Sequence, residues 1–379
     1  MRHLNFFLLI VLLVAAAAAQ TSAPPAEKPA TPEQPKITQG FDINAMDKTA
    51  NPCQDFYQYA CGNWLAHTEI PADKPSYGRF TELYERNRAV LHQILEKYSA
   101  KQTQHSAEEQ KIGDFYASCM DEKAIDAKGL EPLKAELDGI NAIKSKDELP
   151  AAIGHLQRIG VNALFGFGSD QDFKNSSQEI AEADQGGLGL PDRDYYIKDE
   201  GKFPEQRKQY VQHVTNMFKL MGESDDAAAK DAQTVMTMES NLAKGAMDRT
   251  LRRDPKNVYH KMSAADLQAL SPAFNWSRFF TAVDLPNVQS LNVAVPDFVK
   301  AMQGEIQSES LDNLKTYLRW HLVHARATML PKPFVDENFA FFGKTLSGQE
   351  ENEVRWKRCT RYTDAALGEA LGKKFVEET

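Results

Sequence analysis

Residues 51–83 read NPCQDFYQYACGNWLAHTEIPADKPSYGRFTEL. Two cysteines, six aromatic side chains and a Cys-Gly-Asn-Trp segment that reads as a tight turn fall within this one stretch. It is too irregular to form a single helix. Cysteine and aromatic side chains at this density point either to a covalent staple or to a docking surface. The rest of the chain decides between the two.

The chain has 379 residues, enough for two or three ordinary domains or one large helical assembly. It carries 44 Lys and Arg against 53 Asp and Glu, a formal charge of -9. No basic stripe of the kind a nucleic-acid binder needs is present, so nucleic acid is not an expected partner. Residues 1–19 read as a secretory signal: Arg2 and His3, an apolar run from Asn5 to Val14, then small residues Ala15 to Ala19 before Gln20. The apolar run is shorter than the ~20 residues that span a bilayer, so no stable membrane anchor is expected. Export, to a periplasm or outside the cell, suits the four cysteines, Cys53, Cys61, Cys119 and Cys359. Four cysteines allow three pairings, and spacing alone does not choose among them.

Residues 20–40 form a linker, with five prolines between Gln20 and Lys36. Folded sequence is expected over 41–379. Apolar residues recur at steps of three and four in Phe80–Ser99 and Ala107–Asp121, which reads as two helices. In the second, Ile112, Phe115 and Cys119 share a face, so Cys119 is a buried free thiol or half of a buried disulfide; export favours the disulfide. Lys128–Ile143 and Lys146–Ile159 read as shorter helices. Val161–Gly168 is rich in β-formers, Asp170–Ser177 has turn chemistry, and Gln178–Ala183 returns as a strand, giving one hairpin. Gln185–Ile197 is a loop ending in two tyrosines. Helical stripes resume at Tyr210, Val214, Met217, Phe218 and Met221, ending at Gly222, and at Val235, Met238 and Leu242 behind a Ser224 cap. Ser263 and Asp266 form a capping box. Leu311–Met329 and Glu351–Phe375 complete the helices, the last with weak points at Gly368 and Gly372. The expected fold is mainly α, a large multi-helix lobe with one small β-hairpin.

No catalytic constellation is visible. None of the nine histidines forms H-E-x-x-H. His321 and His324 come nearest, at i and i+3, but Leu322 and Val323 between them supply no carboxylate, and a packed or solvated pair explains them. Asp170 with Asp172, and Asp192 with Asp194, sit among turn formers and read as turn caps rather than acid/base pairs or calcium ligands. Gly166-Phe167-Gly168 lacks the third glycine of a dinucleotide fingerprint and reads as a bent strand. No G-x-S-x-G nucleophile motif occurs. Asn175-Ser176-Ser177 and Asn275-Trp276-Ser277 are glycosylation sequons.

The wording of several segments is more informative. PCQDFYQYACGNWL (52–65) followed by IPADKPSYGRFTEL (70–83) resembles the N-terminal region of the neprilysin and endothelin-converting-enzyme family of zinc metallopeptidases. FYASCMDEKAID (115–126), QGGLGLPDRDYYI (185–197), the segment from Glu239 to Ala243 leading to Arg252-Arg253-Asp254, and residues 346–378 with R-W-K-R-C follow in the family's order. The resemblance covers roughly residues 40–379. In the family the zinc ligands and the catalytic glutamate lie C-terminal to these segments, so it implies a non-catalytic N-terminal part, separated from a C-terminal catalytic half, with no catalytic or metal residue assignable here. For the intact protein it implies a mono-zinc endopeptidase or oligopeptidase acting on peptides, with zinc polarising the scissile carbonyl and acidifying water for a glutamate base.

The resemblance also implies a disulfide between Cys119 and Cys359. Cys53 and Cys61 correspond to cysteines whose usual partners lie near the family's C-terminus. In neprilysin an arginine just before Tyr-Gly helps hold the substrate's C-terminal carboxylate; Ser76 stands there, with Arg79 displaced by three. Val354 stands where proline is common. Two functions follow from different classes: the cleft-covering helical lobe of an exported zinc peptidase, inactive by itself, or a stand-alone non-catalytic binding module derived from one. An in-frame H-E-x-x-H in the coding DNA beyond codon 379 separates them.

Overall fold

The computed structural model describes residues 41–100 and 104–379. The opening stretch contains helix α1 (Phe56–His67), then an extended strap to Gly78, then helix α2 (Arg79–Ser99). The Cys-Gly-Asn-Trp segment is therefore helical rather than a tight turn. Asp55 starts α1 by accepting from Gln58 N at 2.8 Å. Gly62 is the one residue of α1 that is buried, and a Cβ there would lie 2.8 Å from the Asp47 Cβ. The glycine is a close-approach residue, not a turn residue.

Helix α3 (Ala107–Met120) opens on a Ser106/Glu109 capping box. Helix α4 (Glu122–Lys128) is a short turn after it. The single helix expected over Lys128–Ile143 is split by Gly129 and Pro132, and only α5 (Lys134–Ala142) remains regular. Helix α6 (Leu149–Arg158) then leads into strands β1 (Phe165–Asp172) and β2 (Asn175–Gln185). Their antiparallel register runs from Phe165↔Gln185 to Gln171↔Glu179, so the hairpin is longer and its turn shorter than expected. Further on, β3 (Lys261–Ser263) and β4 (Ser290–Val293) extend it into one four-stranded sheet, in the order β1-β2-β4-β3. Strands of three and four residues carry no readable alternation, which is why only the hairpin was expected.

Between β2 and β4 lie α7 (Asp194–Ile197), α8 (Phe203–Leu220), α9 (Asp225–Gly245), α10 (Ala264–Leu270) and α11 (Trp276–Ala282). After β4 come α12 (Pro296–Ser308), α13 (Leu311–Arg326), α14 (Lys332–Asn338) and, past a π-helical turn, α15 (Arg355–Glu378). The expected weak point in α15 is real: Leu367, next to Gly368, leaves helical geometry at φ -133°.

Two hydrophobic cores result. The larger holds Trp276, Trp320, Phe165, Phe218, Phe298 and Tyr317 among many others, and joins the sheet to helices α5 through α14. The smaller holds Ile94, Leu95, Tyr98, Ile112, Tyr116 and Leu371, between α2, α3 and α15. The chain thus leaves the small three-helix unit after α3, builds the large core, and returns through α15. A Cys119–Cys359 disulfide ties departure to return across 240 residues.

Candidate functional site

The site begins with what the N-terminal segment leaves uncovered. Among the described residues, nine of the sixteen exposed large apolar side chains lie between Phe41 and Tyr84. Phe80 is 91% exposed, Phe56 69% and Tyr57 65%, although each belongs to or begins a helix that ordinarily buries such residues. Monomeric proteins seldom leave a concentrated apolar patch in water. Cys53 and Cys61 lie in the same segment as free thiols.

The strap beneath this face is firmly held. Lys74 Nζ contacts Glu353 Oε1 at 2.5 Å and Glu85 Oε1 at 3.0 Å, while Arg88 Nη1 donates to Glu353 Oε1 at 2.7 Å. Lys357 Nζ reaches Asp73 Oδ2 at 2.7 Å, and the backbone N–H groups of Glu350 and Glu351 donate to Ala72 O. Burial pushes the Glu353 carboxyl up, but hydrogen bonds from Lys74 and Arg88 outweigh it and hold the group at about 2. The network joins the I-P-A-D-K-P strap to the segment leading into R-W-K-R-C. Ser76 in that strap is exposed, and the displaced Arg79 is occupied: its guanidinium donates to Asp42 and Glu82 and lies 5.3 Å over the Trp64 ring.

A second set of matched segments meets deep in the large core. Glu239, fully buried on α9, accepts from Tyr196 Oη at 2.7 Å, Tyr210 Oη at 2.8 Å and Trp320 Nε1 at 3.2 Å. Tyr196 Oη in turn accepts from Leu190 N, and Tyr317 Oη donates to Gly187 O at 2.6 Å. Gly187 adopts φ +65°, and a Cβ there would crowd Leu164 at 2.6 Å. The Q-G-G-L-G-L-P loop is therefore pinned by Tyr196, from the segment that follows it, and by Tyr317, from α13. Sequence reasoning missed Glu239 as the organising group. Its signal was a carboxylate inside the Val235, Met238, Leu242 stripe.

The histidine pair falls beside this carboxylate. His321 Nε2 lies 3.1 Å from Glu239 Oε1, and the His321 and His324 rings stand 6.5 Å apart at 88°. Burial pushes His324 down to about 3, reinforced by His321 and His213. Zinc needs four donors converging at about 2.0–2.3 Å. Here the carboxylate is already taken up by two hydroxyls and an indole. Among the described residues no group of three or more His, Cys, Asp or Glu is arranged to hold a metal. These residues do not fit zinc.

The aspartate pairs act in turns and ion pairs. Asp172 accepts from Tyr259 Oη at 2.7 Å, Lys174 N at 2.9 Å and Lys261 Nζ at 2.8 Å, which holds its carboxyl far below the usual range. Exposed Asp170 caps only its neighbour Gln171 N. Asp192 Oδ1 accepts from Asp194 N at 2.8 Å, and Asp194 pairs with Lys198. Phe167 of the Gly-Phe-Gly segment packs on Phe279 within β1's surroundings, with ring centroids 5.0 Å apart. Asn275 caps α11 through Arg278 N, and Asn175 accepts from Ser177 N.

Comparison with known proteins agrees with this arrangement. The family model of peptidase family M13, in its N-terminal form, matches residues 52–379. Endothelin-converting enzyme 1 of Rattus norvegicus is 32% identical over 352 residues, covering 89% of this chain and 45% of that protein. Neprilysin-3 of Drosophila melanogaster is 31% identical over 359 residues, with the same coverage of each. The crystal structure of the Mycobacterium tuberculosis zinc metalloprotease Zmp1 in complex with an inhibitor superimposes with a TM-score of 0.84 at 33% identity, covering 90% of this chain and 52% of that one. The chain spans about half the length of the relatives it matches. It belongs to peptidase family M13, the neprilysin and endothelin-converting-enzyme family of zinc metallopeptidases, and corresponds to the family's N-terminal region.

Proposed function

We propose that residues 41–379 form the helical lobe of an exported zinc metallopeptidase, a lobe that covers the active-site cleft and limits which peptides enter. Zinc and the catalytic glutamate would be carried by a C-terminal catalytic half packed against the 41–84 face. The observation that carries this reading is that face itself: a concentration of exposed aromatic side chains with two free thiols, Cys53 before α1 and Cys61 within it, next to a strap that is firmly held by ion pairs. A surface so apolar needs a partner, and the two thiols offer it covalent attachment.

Export, to a periplasm or the extracellular space, is supported by the Cys119–Cys359 disulfide. No helix among the described residues is long and apolar enough to cross a membrane. The proposed signal peptide, 1–19, and linker, 20–40, lie outside the described residues. The test uses the purified 379-residue protein, assayed for bound zinc and for hydrolysis of a peptide library with and without chelator. No stoichiometric zinc and no cleavage is expected, together with an in-frame H-E-x-x-H beyond codon 379. Stoichiometric zinc with chelator-sensitive cleavage by this chain alone would overturn the reading.

A further inference from the structure

The first two turns of α15 carry four cations, Arg355, Lys357, Arg358 and Arg361. Three of them find carboxylates. Arg355 Nη1 donates to Glu122 Oε1 at 2.9 Å, Lys357 Nζ pairs with Asp73, and Arg361 Nη2 lies 3.6 Å from Glu353 Oε2. Arg358 makes no ion pair and no side-chain hydrogen bond among the described residues, and its Nε is closed off from solvent with no acceptor. Burial pushes its guanidinium below the ordinary value; Arg355 and Arg361 add to the effect, while Tyr362 and Glu122 oppose it without reversing it. A desolvated N–H on a charged group costs free energy until an acceptor reaches it.

Arg358 lines a cavity of about 530 Å³ beside the Cys119–Cys359 disulfide. The other walls are largely apolar: Phe115 from α3, Ala124 and Ile125 from α4, Met329, and Tyr362 from α15. The one carboxylate in the lining, Asp121, caps α4 by accepting from Ala124 N and makes no ion pair with Arg358. Lys128 and Arg355 also line it, but Arg355 is held by Glu122, so Arg358 is the guanidinium left without a carboxylate. A volume of several hundred Å³ with mostly apolar walls and a few placed polar groups is the anatomy of a small-molecule site. Apolar walls do not suit a hydrated inorganic anion, and the space is far larger than one docked side chain fills.

We propose that this cavity binds a small organic acid with an apolar body, its carboxylate paired with the Arg358 guanidinium and its body against Phe115, Ile125 and Met329. A planar guanidinium presents parallel N–H donors that match both carboxylate oxygens. The proposal goes beyond the peptidase reading and does not depend on it, since neither zinc nor cleavage enters its readout.

The test titrates the oxidised 379-residue protein with octanoate, 1-octanol and acetate, following heat by calorimetry and the thermal midpoint. Octanoate is expected to bind one-to-one and raise the midpoint; octanol lacks the charge and acetate the apolar body, so both bind much more weakly. Arg358→Gln should weaken octanoate binding by roughly tenfold or more, and Arg358→Lys by less. Ala124→Trp, which fills the cavity and leaves Arg358 in place, should abolish binding even if an Arg358 variant fails to fold. Octanoate binding unchanged by Arg358→Gln or by Ala124→Trp, or octanol binding as well as octanoate, overturns the proposal. So does the absence of saturable binding at millimolar octanoate, which would assign the carboxylate to another polypeptide segment.

Discussion

Glu305 of α12 is 6% exposed and its Oε2 has no hydrogen-bond partner. Burial pushes its carboxyl up from 4.5 to about 7; an Asn241 hydrogen bond opposes this and the Glu309 charge adds to it. A raised folded pKa means the unfolded chain releases its proton first. Stability attributable to Glu305 is intact below 4.5, falls as pH rises from 4.5 to about 7, and the full penalty stands above that. Glu305→Gln is therefore expected to be near neutral at about pH 4 and stabilising by about 2 kcal/mol at about pH 8, measured by urea unfolding. An equal effect at both pH values would refute the assignment. Glu239 is the contrasting case. It is more deeply buried still, but two hydroxyls and an indole satisfy it, so the same chemical group ties a loop down instead of straining a helix.

At the scale of elements, the strap between α1 and α2 has little apolar burial of its own and depends on ions. Glu353 is its keystone, since Lys74 and Arg88 both reach the same carboxylate oxygen. Its folded pKa of about 2 lies below the ordinary 4.5, so its contribution is present above 4.5 and is lost as pH falls from there to about 2. Glu353→Gln should cost about 2–3 kcal/mol at neutral pH and remove that part of the acid-unfolding slope, read from thermal midpoints between pH ~2 and ~6. A variant with the wild-type slope would show that the carboxylate does not carry the strap. The sheet gives the complementary lesson. β1 and β2 are long enough to form a hairpin on local pattern, whereas β4 joins β2, and β3 joins β4, in a tertiary setting where α12 packs on β2 and α10 packs on β3 and β4.

At the scale of the molecule, two cores are joined by the α4–α5 connection on the way out and the α14–α15 connection on the way back, with one disulfide closing the circuit. A loop of 240 residues gives a cross-link of roughly 5 kcal/mol in a chain-entropy treatment, an upper figure. Iodoacetamide applied to the folded, oxidised protein should modify Cys53 and Cys61 and spare Cys119 and Cys359, by peptide mass mapping. Free labelling of Cys119 or Cys359 in the folded state would remove the cross-link from this account. A Cys119→Ser, Cys359→Ser double variant should lower the unfolding midpoint and loosen α3 from α15 first.

Much of this protein is local in origin and so was written in the chain. Stripes at three and four residues and the Ser224 and Ser263 caps place α2, α3, α9 and α10 within about two residues, and find α8 and α15 with their ends displaced by several, because each depends on neighbours within a turn or two. The ordered segments from 52–65 to 346–378 carry the family. What depends on distant partners was not legible. The Cys-Gly-Asn-Trp segment is helical, and its glycine serves a close approach to Asp47 that no local pattern announces. Glu239 is satisfied because Tyr196, Tyr210 and Trp320 arrive from three other elements. Of the four cations that open α15, only the tertiary structure shows that Arg358 is the one without a carboxylate, because pairing is set by what the fold brings within about 4 Å and not by the order of residues along a helix.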